Sequence, residues 1–219
     1  MKKIFIILSV LMLIMGGYMQ AQQPRFTEFR TEEEYQNKEW DNKITDEKEL
    51  TDYIIQLVSS RDPADNSNLW VCVQVLDKTT RQLVQELDLQ GGYGAGDSFN
   101  IGDYNFDGYE DFSLWGYYCS SNNSYSDYFL FDLETKTFFA SEFYGTNLEF
   151  DSDTKTITSH NRCCTGMGEM YATYQLVGNK MVLIKQHCFH VVIDKKTDDF
   201  LRDEDGAVIF EEIDCDTME

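Results

Sequence analysis

The stretch LFDLETKTFF, residues 130–139, decides the expected fold, because it joins two apolar runs through a short polar turn. The same order of residues recurs three times, as VLDKTTRQLV from 75, EFDSDTKTIT from 149 and VIDKKTDDFL from 192. The Asp in each copy can accept hydrogen bonds from the backbone of the turn that follows it, so each copy predicts a β-hairpin. A further hairpin, with Gly-Asn in its turn, is predicted by QLVGNKMVLI from 175.

Around these turns the chain reads as β-strand. From Leu69 onward it is rich in Val, Ile, Tyr and Phe, and the whole chain contains 15 Phe, 13 Tyr and 3 Trp, which suits an aromatic β core. The turns are irregularly spaced, so a solenoid of repeats is not expected. The fold class predicted is therefore mainly β: an antiparallel β meander closed as a sandwich or barrel, with a calcium loop between strands.

One amphipathic helix is predicted in front of the sheet. Asp46 and Glu49 give a cap-like start, and Asp62-Pro63 breaks the pattern. Between them, apolar residues recur with helical spacing at Leu50, Tyr53, Ile54, Leu57 and Val58.

The N-terminus predicts export. MKKIFIILSVLMLIMGGYMQA has two lysines, a short apolar run and small residues before a cut after Ala21, so residues 1–21 read as a signal peptide. No later run approaches the length of a membrane span. We expect a protein of the periplasm or cell exterior with no membrane span after cleavage. Residues 22–44 read as a charged linker or arm and residues 45–219 as a single β-rich domain with the leading helix.

The charge restricts the partners. The net charge is −21, with 39 acidic and 18 basic residues, so a nucleic-acid partner is not expected. The acidic surface either serves solubility or steers association with a basic partner.

Six cysteines follow the predicted cleavage site, an even number in an oxidising compartment, so disulfides are expected. The sequence does not choose their pairing, although adjacent Cys163 and Cys164 are expected to bond two different distant partners. The C-x-x-C spacing of a structural zinc site is absent, so the cysteines are not expected to bind zinc. The disulfide candidates are Cys72, Cys119, Cys163, Cys164, Cys188 and Cys215.

A candidate calcium site lies in NIGDYNFDGYEDFSLWG, residues 100–116. Oxygen side chains fall at positions 1, 3, 5 and 9 of a loop with glycine at position 6, and position 7 would contribute a backbone carbonyl. Position 12, usually glutamate, is Leu114, so the loop is of a shortened form. The alternative is an acidic β-turn without metal, but its acids would repel one another without a cation. The predicted ligands are Asp103, Asn105, Asp107, the Tyr109 carbonyl and Asp111.

The calcium is expected to stabilise a loop rather than to catalyse a reaction. No nucleophile motif, phosphate-binding glycine loop or H-E-x-x-H accompanies it in the sequence. The protein is therefore not expected to be an enzyme.

Three segments together suggest a family: NIGDYNFDGYEDFSLWG, YFLFDLETKTF and LEFDSDTKTITSHNR. Over about residues 69–185 the chain resembles bacterial exported proteins related to a Xanthomonas inhibitor of a secreted peptidoglycan hydrolase, which are similar in fold to periplasmic inhibitors of invertebrate-type lysozyme. The resemblance implies an antiparallel β fold, calcium at the loop above, and inhibition by a loop inserted into a lysozyme-like cleft.

Two segments are candidates for that loop. CSSNNSYSDY, residues 119–128, lacks the glycine of the inhibitors' Ser/Gly-rich motif, and HNRCCTGMGEMY, residues 160–171, is either a partner-binding loop or a plain hairpin connection. Residues 186–219 exceed the family pattern and are read as an added strand held by Cys215. The candidate partner-binding residues are Ser121, Asn122, Asn123, Tyr125 and Tyr171.

The function expected is binding and inhibition of a basic lysozyme-like peptidoglycan hydrolase. The alternative is a calcium-stabilised surface or glycan-binding module without inhibitory activity.

Overall fold

The computed structural model describes residues 41–62, 65–89, 98–118, 123–163 and 166–217. Nearly all regular structure in these ranges is antiparallel β-strand. No helix in them is both long and apolar enough to cross a membrane. The first strand of the described residues begins at Asp41, inside the range 22–44 predicted as a linker or arm, while the predicted signal peptide lies outside the described residues.

The strands form three main sheets in chain order. The first, in the order β1-β2-β3-β4, consists of β1 Asp41–Glu49, β2 Tyr53–Asp62, β3 Asp65–Asp77 and β4 Leu83–Leu89. The second, in the order β5-β6-β7-β8, consists of β5 Phe99–Gly102, β6 Asp111–Tyr118, β7 Ser124–Asp132 and β8 Thr137–Ala140.

The third part of the chain adds β9 Glu149–Asp151, β10 Thr156–Cys163, β11 Gly168–Val177, β12 Lys180–Val191, the small hairpin β13 Ile193–Asp194 and β14 Asp199–Phe200, and β15 Phe210–Ile213. The last strand returns to β12, so the third sheet has the order β15-β12-β11-β10-β9. The predicted antiparallel meander is confirmed. A closed barrel is not confirmed, because a barrel has no edge strands and each sheet in the described part of the chain has two.

The first two sheets pack face to face, as in a sandwich. Phe112 at the centre is fully buried, stacks on Phe129 with ring centroids 4.8 Å apart and meets Phe99 edge-on at 5.5 Å. These second-sheet rings share one core with aliphatic residues of the first sheet, including Leu50, Ile55, Leu57, Val71, Val73, Val75 and Leu89. Because successive side chains of a strand point to opposite faces, residues two apart in a strand lie on the face shared by the two sheets.

The opposite face of the second sheet packs on the third. Tyr128 in β7 contacts Phe150 in β9 and Phe143 before it, with ring centroids 5.1 and 5.9 Å apart. Ile157 and Tyr174 continue this second core within the third sheet. The second sheet therefore has a packed neighbour on each face.

The helix predicted over residues 46–58 is wrong, because these residues lie in β1, β2 and the turn between them. The apolar residues Ile54, Ile55, Leu57 and Val58 are all buried. β2 lies between β1 and β3, and side chains of both faces are covered, so its apolar run is nearly continuous. Any continuous apolar run contains apolar residues at i, i+3 and i+4, so helical spacing does not distinguish a helix from a buried strand here. The β-branched residues Ile and Val favour the strand.

The recurring Asp turns have one geometry. Asp132 Oδ1 accepts hydrogen bonds from the backbone N–H of Glu134 at 2.8 Å and of Thr135 at 3.2 Å. The same bonding pattern follows Asp77 and Asp151. The residue four places after each Asp adopts positive φ: Arg81, Lys136, Lys155 and, after Asp194, Asp198. The hairpins predicted from these turns are confirmed.

These turns predict a pH dependence of stability. Hydrogen bonds from backbone N–H groups and Thr hydroxyls hold the pKa of Asp77, Asp132 and Asp151 below the ordinary value of 3.8. Stabilisation from a lowered carboxyl pKa is fully present above the unfolded value and is lost as the pH falls through the folded value. Replacing all three by alanine is therefore expected to lower the melting temperature at about pH 7, with a gap to the wild type that narrows as the pH falls below the ordinary carboxyl value of 3.8. A gap that does not change with pH would contradict this account.

The six cysteines differ in bonding and in position. Cys188 in β12 is bonded to Cys215, 27 residues later, beside β15, which confirms the predicted added strand held by Cys215. Cys72 is a fully buried thiol in β3 without a disulfide in the described part of the chain, and burial raises its pKa, so its place among the disulfide candidates stays a prediction. Cys163 ends β10. Cys119 and Cys164 lie outside the described residues.

Candidate metal centre and binding face

Residues 103–111 form the loop between β5 and β6. Gly102 pairs with Asp111 in the antiparallel register, which closes the base of the loop. Phe106 and Gly108 adopt φ of 62° and 90°, in the left-handed region. Glycine at position 108 meets this backbone requirement without steric cost. The loop thus reverses the chain direction tightly between β5 and β6.

Three of the predicted ligands share one hydrogen-bonded cluster within the loop. Asp103 accepts hydrogen bonds from the backbone N–H of Asp107 at 3.0 Å and of Gly108 at 2.9 Å. Asn105 Oδ1 accepts from Asp107 N–H at 3.2 Å, and Asp107 Oδ1 accepts from Tyr109 N–H at 2.9 Å. Two carboxylates and one amide are therefore turned inward on the loop backbone.

Asp111 has a different environment. It is fully buried, and its two oxygens accept hydrogen bonds at 2.8 Å from the backbone N–H of Tyr104 and of Phe131 in β7. Burial raises the pKa of this carboxyl to about 6. Asp111 therefore joins the loop to the second sheet, and its role as a metal ligand stays a prediction.

The donor chemistry fits a hard divalent cation. Carboxylate and amide oxygens from Asp103, Asn105 and Asp107 are the ligands that calcium prefers. Among the described residues no three His, Cys, Asp or Glu side chains are grouped to hold a metal ion, and Asn105 Nδ2 donates a 2.8 Å hydrogen bond to Asp107 Oδ2.

The loop lies where all three sheets meet. Tyr104 contacts Tyr128 of the second sheet and Phe150 of the third, with ring centroids 4.9 and 4.8 Å apart. Glu110 accepts a hydrogen bond of 2.5 Å from the backbone N–H of Thr51, in the turn between β1 and β2. The loop therefore contacts all three sheets.

The first predicted partner-binding segment is only partly described. Ser121 and Asn122 lie outside the described residues, and Tyr125 is half-buried in β7. Asn123 is buried, and its amide bonds Asn161 Oδ1 at 2.8 Å and the Arg162 backbone at 2.7 and 2.9 Å. Its predicted role in contacting a partner is therefore wrong: its side chain joins the start of β7 to β10.

The second predicted segment is mostly strand. β10 continues to Cys163 and β11 begins at Gly168, so only a short connection separates them. Tyr171 lies on β11 rather than at the end of a loop. Successive side chains of β11 point to opposite faces of the sheet, and the Tyr171 ring is on the face exposed to solvent.

Tyr171 is the centre of an exposed aromatic face on the third sheet. The register aligns it with His160 on one side and His187 on the other. The Tyr171 ring is 42% exposed and stacks on the His160 ring at 4.3 Å and 8°. We define the aromatic face as His160, Glu169, Tyr171, His187 and Phe189.

The phenol of Tyr171 is held in one orientation. Its hydroxyl donates a 2.7 Å hydrogen bond to Glu169, which raises the pKa of Tyr171. Glu169 also lies 3.4 Å from both His160 Nε2 and Arg162 Nε, and His187 Nδ1 lies 2.7 Å from Glu212. The face thus offers a neutral, ordered aromatic ring bordered by polar groups.

Most of this face was not predicted from the sequence. Tyr171 was named as a partner-binding residue, but His160, Glu169, His187 and Phe189 were not. A usable signal was present, because His160 and Arg162, Glu169 and Tyr171, and His187 and Phe189 are each two residues apart, the spacing that places side chains on one face of a strand.

Comparisons with known proteins assign no family. No protein-family model matches the chain, and no curated protein matches it. A solved structure described as a Xanthomonas type IV secretion system related protein matches at 15% identity, over 76% of this chain and 84% of that chain, with a TM-score of 0.35. This is a distant likeness, and no function is transferred from it.

Proposed function

We propose that this protein is an exported, non-enzymatic calcium-binding protein that binds and inhibits a basic lysozyme-like peptidoglycan hydrolase. The observation that carries the proposal is Tyr171, an exposed ring held in place by stacking on His160 and by a hydrogen bond to Glu169. An ordered, exposed tyrosine loses little entropy when a partner covers it, and tyrosine is enriched among residues that dominate interface energies.

Calcium has a structural role in this proposal. Asp103, Asn105, Asp107 and the Tyr109 carbonyl would hold it, with Asp111 buried at the base of the loop. The cation would offset the repulsion between the carboxylates and stabilise the junction of the three sheets.

The choice of a hydrolase as partner is supported by charge and by the motifs quoted from the sequence. A net charge of −21 favours encounter with a basic enzyme, and it predicts that added salt slows association. The sequence resemblance supplies the class of enzyme.

Tyr171→Ala is expected to weaken the complex about tenfold, because it removes the ordered ring at the centre of the binding face. The measurement is calorimetric titration of an invertebrate-type lysozyme, together with its hydrolysis of peptidoglycan. The matched control is Tyr144→Ala, which removes a ring that is 43% exposed, against 42% for Tyr171, and lies outside the aromatic face. Equal losses in the two variants, or no complex with the wild type, would overturn the proposal.

The alternative function is glycan binding without inhibition. The exposed ring of Tyr171, bordered by the His187–Glu212 pair, also suits stacking on a sugar with polar contacts at its rim. Soluble peptidoglycan fragments titrated without any enzyme distinguish the two functions. Saturable binding that is lost in Tyr171→Ala, with no hydrolase complex, would favour the alternative.

A further inference from the structure

The outer edge of β12 is only partly paired. β12 extends over Lys180–Val191, and β15 pairs with Cys188–Val191 alone. In the described part of the chain, no strand pairs with the outer edge of residues 180–187, which we call the open edge. An unpaired strand edge presents backbone N–H and C=O groups that can pair with another strand.

The side chains of the open edge are apolar at the centre and basic around it. Val182, Leu183 and Ile184 are 48%, 47% and 55% exposed. The segment KMVLIKQH also contains Lys180 and Lys185 but no acid, in a chain where acids outnumber bases 39 to 18. The open edge is therefore an apolar and basic stretch on an acidic protein.

A second copy of this chain suits the open edge poorly. Thr173 and Tyr174 are adjacent in β11 but pair with Lys185 and Leu183, so Ile184 is an extra residue that forms a β-bulge. A bulge increases local twist and opposes regular pairing of two identical edges.

We propose that the open edge binds an extended acidic segment of another protein by strand addition. A flexible segment can follow the bulge, pair its backbone with β12 and place alternate apolar side chains beside Leu183, on the sheet face opposite Val182. Its carboxylates lie near Lys180 and Lys185, of which Lys180 now makes only an exposed ion pair of 3.7 Å with Glu142. This interaction uses the strand edge rather than the ring of Tyr171, and the two surfaces share only His187.

The test uses the full chain and a fluorescent eight-residue peptide of alternating valine and glutamate, followed by anisotropy. We expect saturable 1:1 binding that weakens with salt and falls at least tenfold when lysine replaces glutamate in the peptide. Methylation of alternate peptide nitrogens should also abolish it, because it blocks backbone pairing.

Matched variants locate the site. Leu183→Glu combined with Ile184→Glu should reduce binding at least tenfold, whereas Leu133→Glu, at an exposed leucine in the β7–β8 turn, should not. Unchanged melting temperatures show that both variants are folded.

Several outcomes would overturn the proposal. These are absence of binding, binding that survives backbone methylation, a dimer in light scattering that excludes the peptide, and binding that requires deletion of residues 22–40. A dimer that excludes the peptide would assign the open edge to a second copy of the chain. Binding that requires deletion of residues 22–40 would assign it to the acidic N-terminal segment of the chain itself. None of them affects the hydrolase titration, so failure here is distinguishable from failure of the proposed function.

Discussion

Replacing Asp111 by alanine is expected to lower the free energy of unfolding by about 2–4 kcal/mol, because two buried N–H donors lose their acceptor. The donors are the backbone N–H groups of Tyr104 and Phe131, each 2.8 Å from a carboxylate oxygen in a fully buried side chain. Removal of a buried charge offsets part of the loss. Urea unfolding in calcium-free buffer measures the difference.

The effect should depend on pH. Burial raises the pKa of Asp111 from 3.8 to about 6, so the folded state favours the protonated carboxyl. The stabilisation is fully present below the ordinary value and is lost as the pH rises through about 6. Without calcium, the wild type should therefore exceed the variant by more at about pH 4 than at about pH 8.

Asp111→Asn is the conservative control, because its amide oxygen can still accept one of the two hydrogen bonds. We expect a smaller loss of stability than in the alanine variant. Asp153→Ala, at an exposed aspartate in the β9–β10 turn, controls for the general removal of negative charge. A loss in Asp111→Ala no larger than in Asp153→Ala would contradict the structural role assigned to Asp111.

Calcium is expected to raise the free energy of unfolding by about 2.7 kcal/mol when its free concentration is about 100 times the dissociation constant. Binding to the folded loop alone produces this gain, because the unfolded chain does not bring Asp103, Asn105 and Asp107 together. Contacts of the loop with all three sheets should make the whole transition shift, rather than a local one.

Asp107→Ala should remove most of the calcium response, because Asp107 lies at the centre of the hydrogen-bonded cluster. Thermal melting with calcium, with magnesium and with a chelator measures the response, and Asp153→Ala should retain it. Magnesium should stabilise less, since it requires nearly octahedral geometry and keeps its waters. Equal melting temperatures with calcium and with chelator would mean that the loop is an acidic turn.

The hairpins and the candidate calcium loop could be predicted because their geometry depends on neighbouring residues. Asp132 bonds the backbone two and three residues later, and the cluster of Asp103, Asn105 and Asp107 lies within one short loop. Side chains that bond their own turn leave a pattern at fixed spacing in the sequence.

The helix prediction failed at β2 because its burial comes from distant parts of the chain. Ile54 and Ile55 point to opposite faces of one strand, and both are at most 2% exposed, so no alternation of polar and apolar residues marks the strand. Asn123 was misplaced for a similar reason, since its partners at residues 161 and 162 lie on β10.

The sequence by itself determined the antiparallel β class, most of its turns, the acidic charge and the order of oxygen-bearing side chains in loop 103–111, because each depends on composition or short spacing. Only the tertiary structure decided that Asp111 is buried between two backbone N–H groups, that Tyr171 stacks on His160, and that residues 180–187 of β12 have an unpaired outer edge in the described part of the chain. These features depend on strand register, which is set by side chains that are far apart in the sequence and meet only after the sheets have formed.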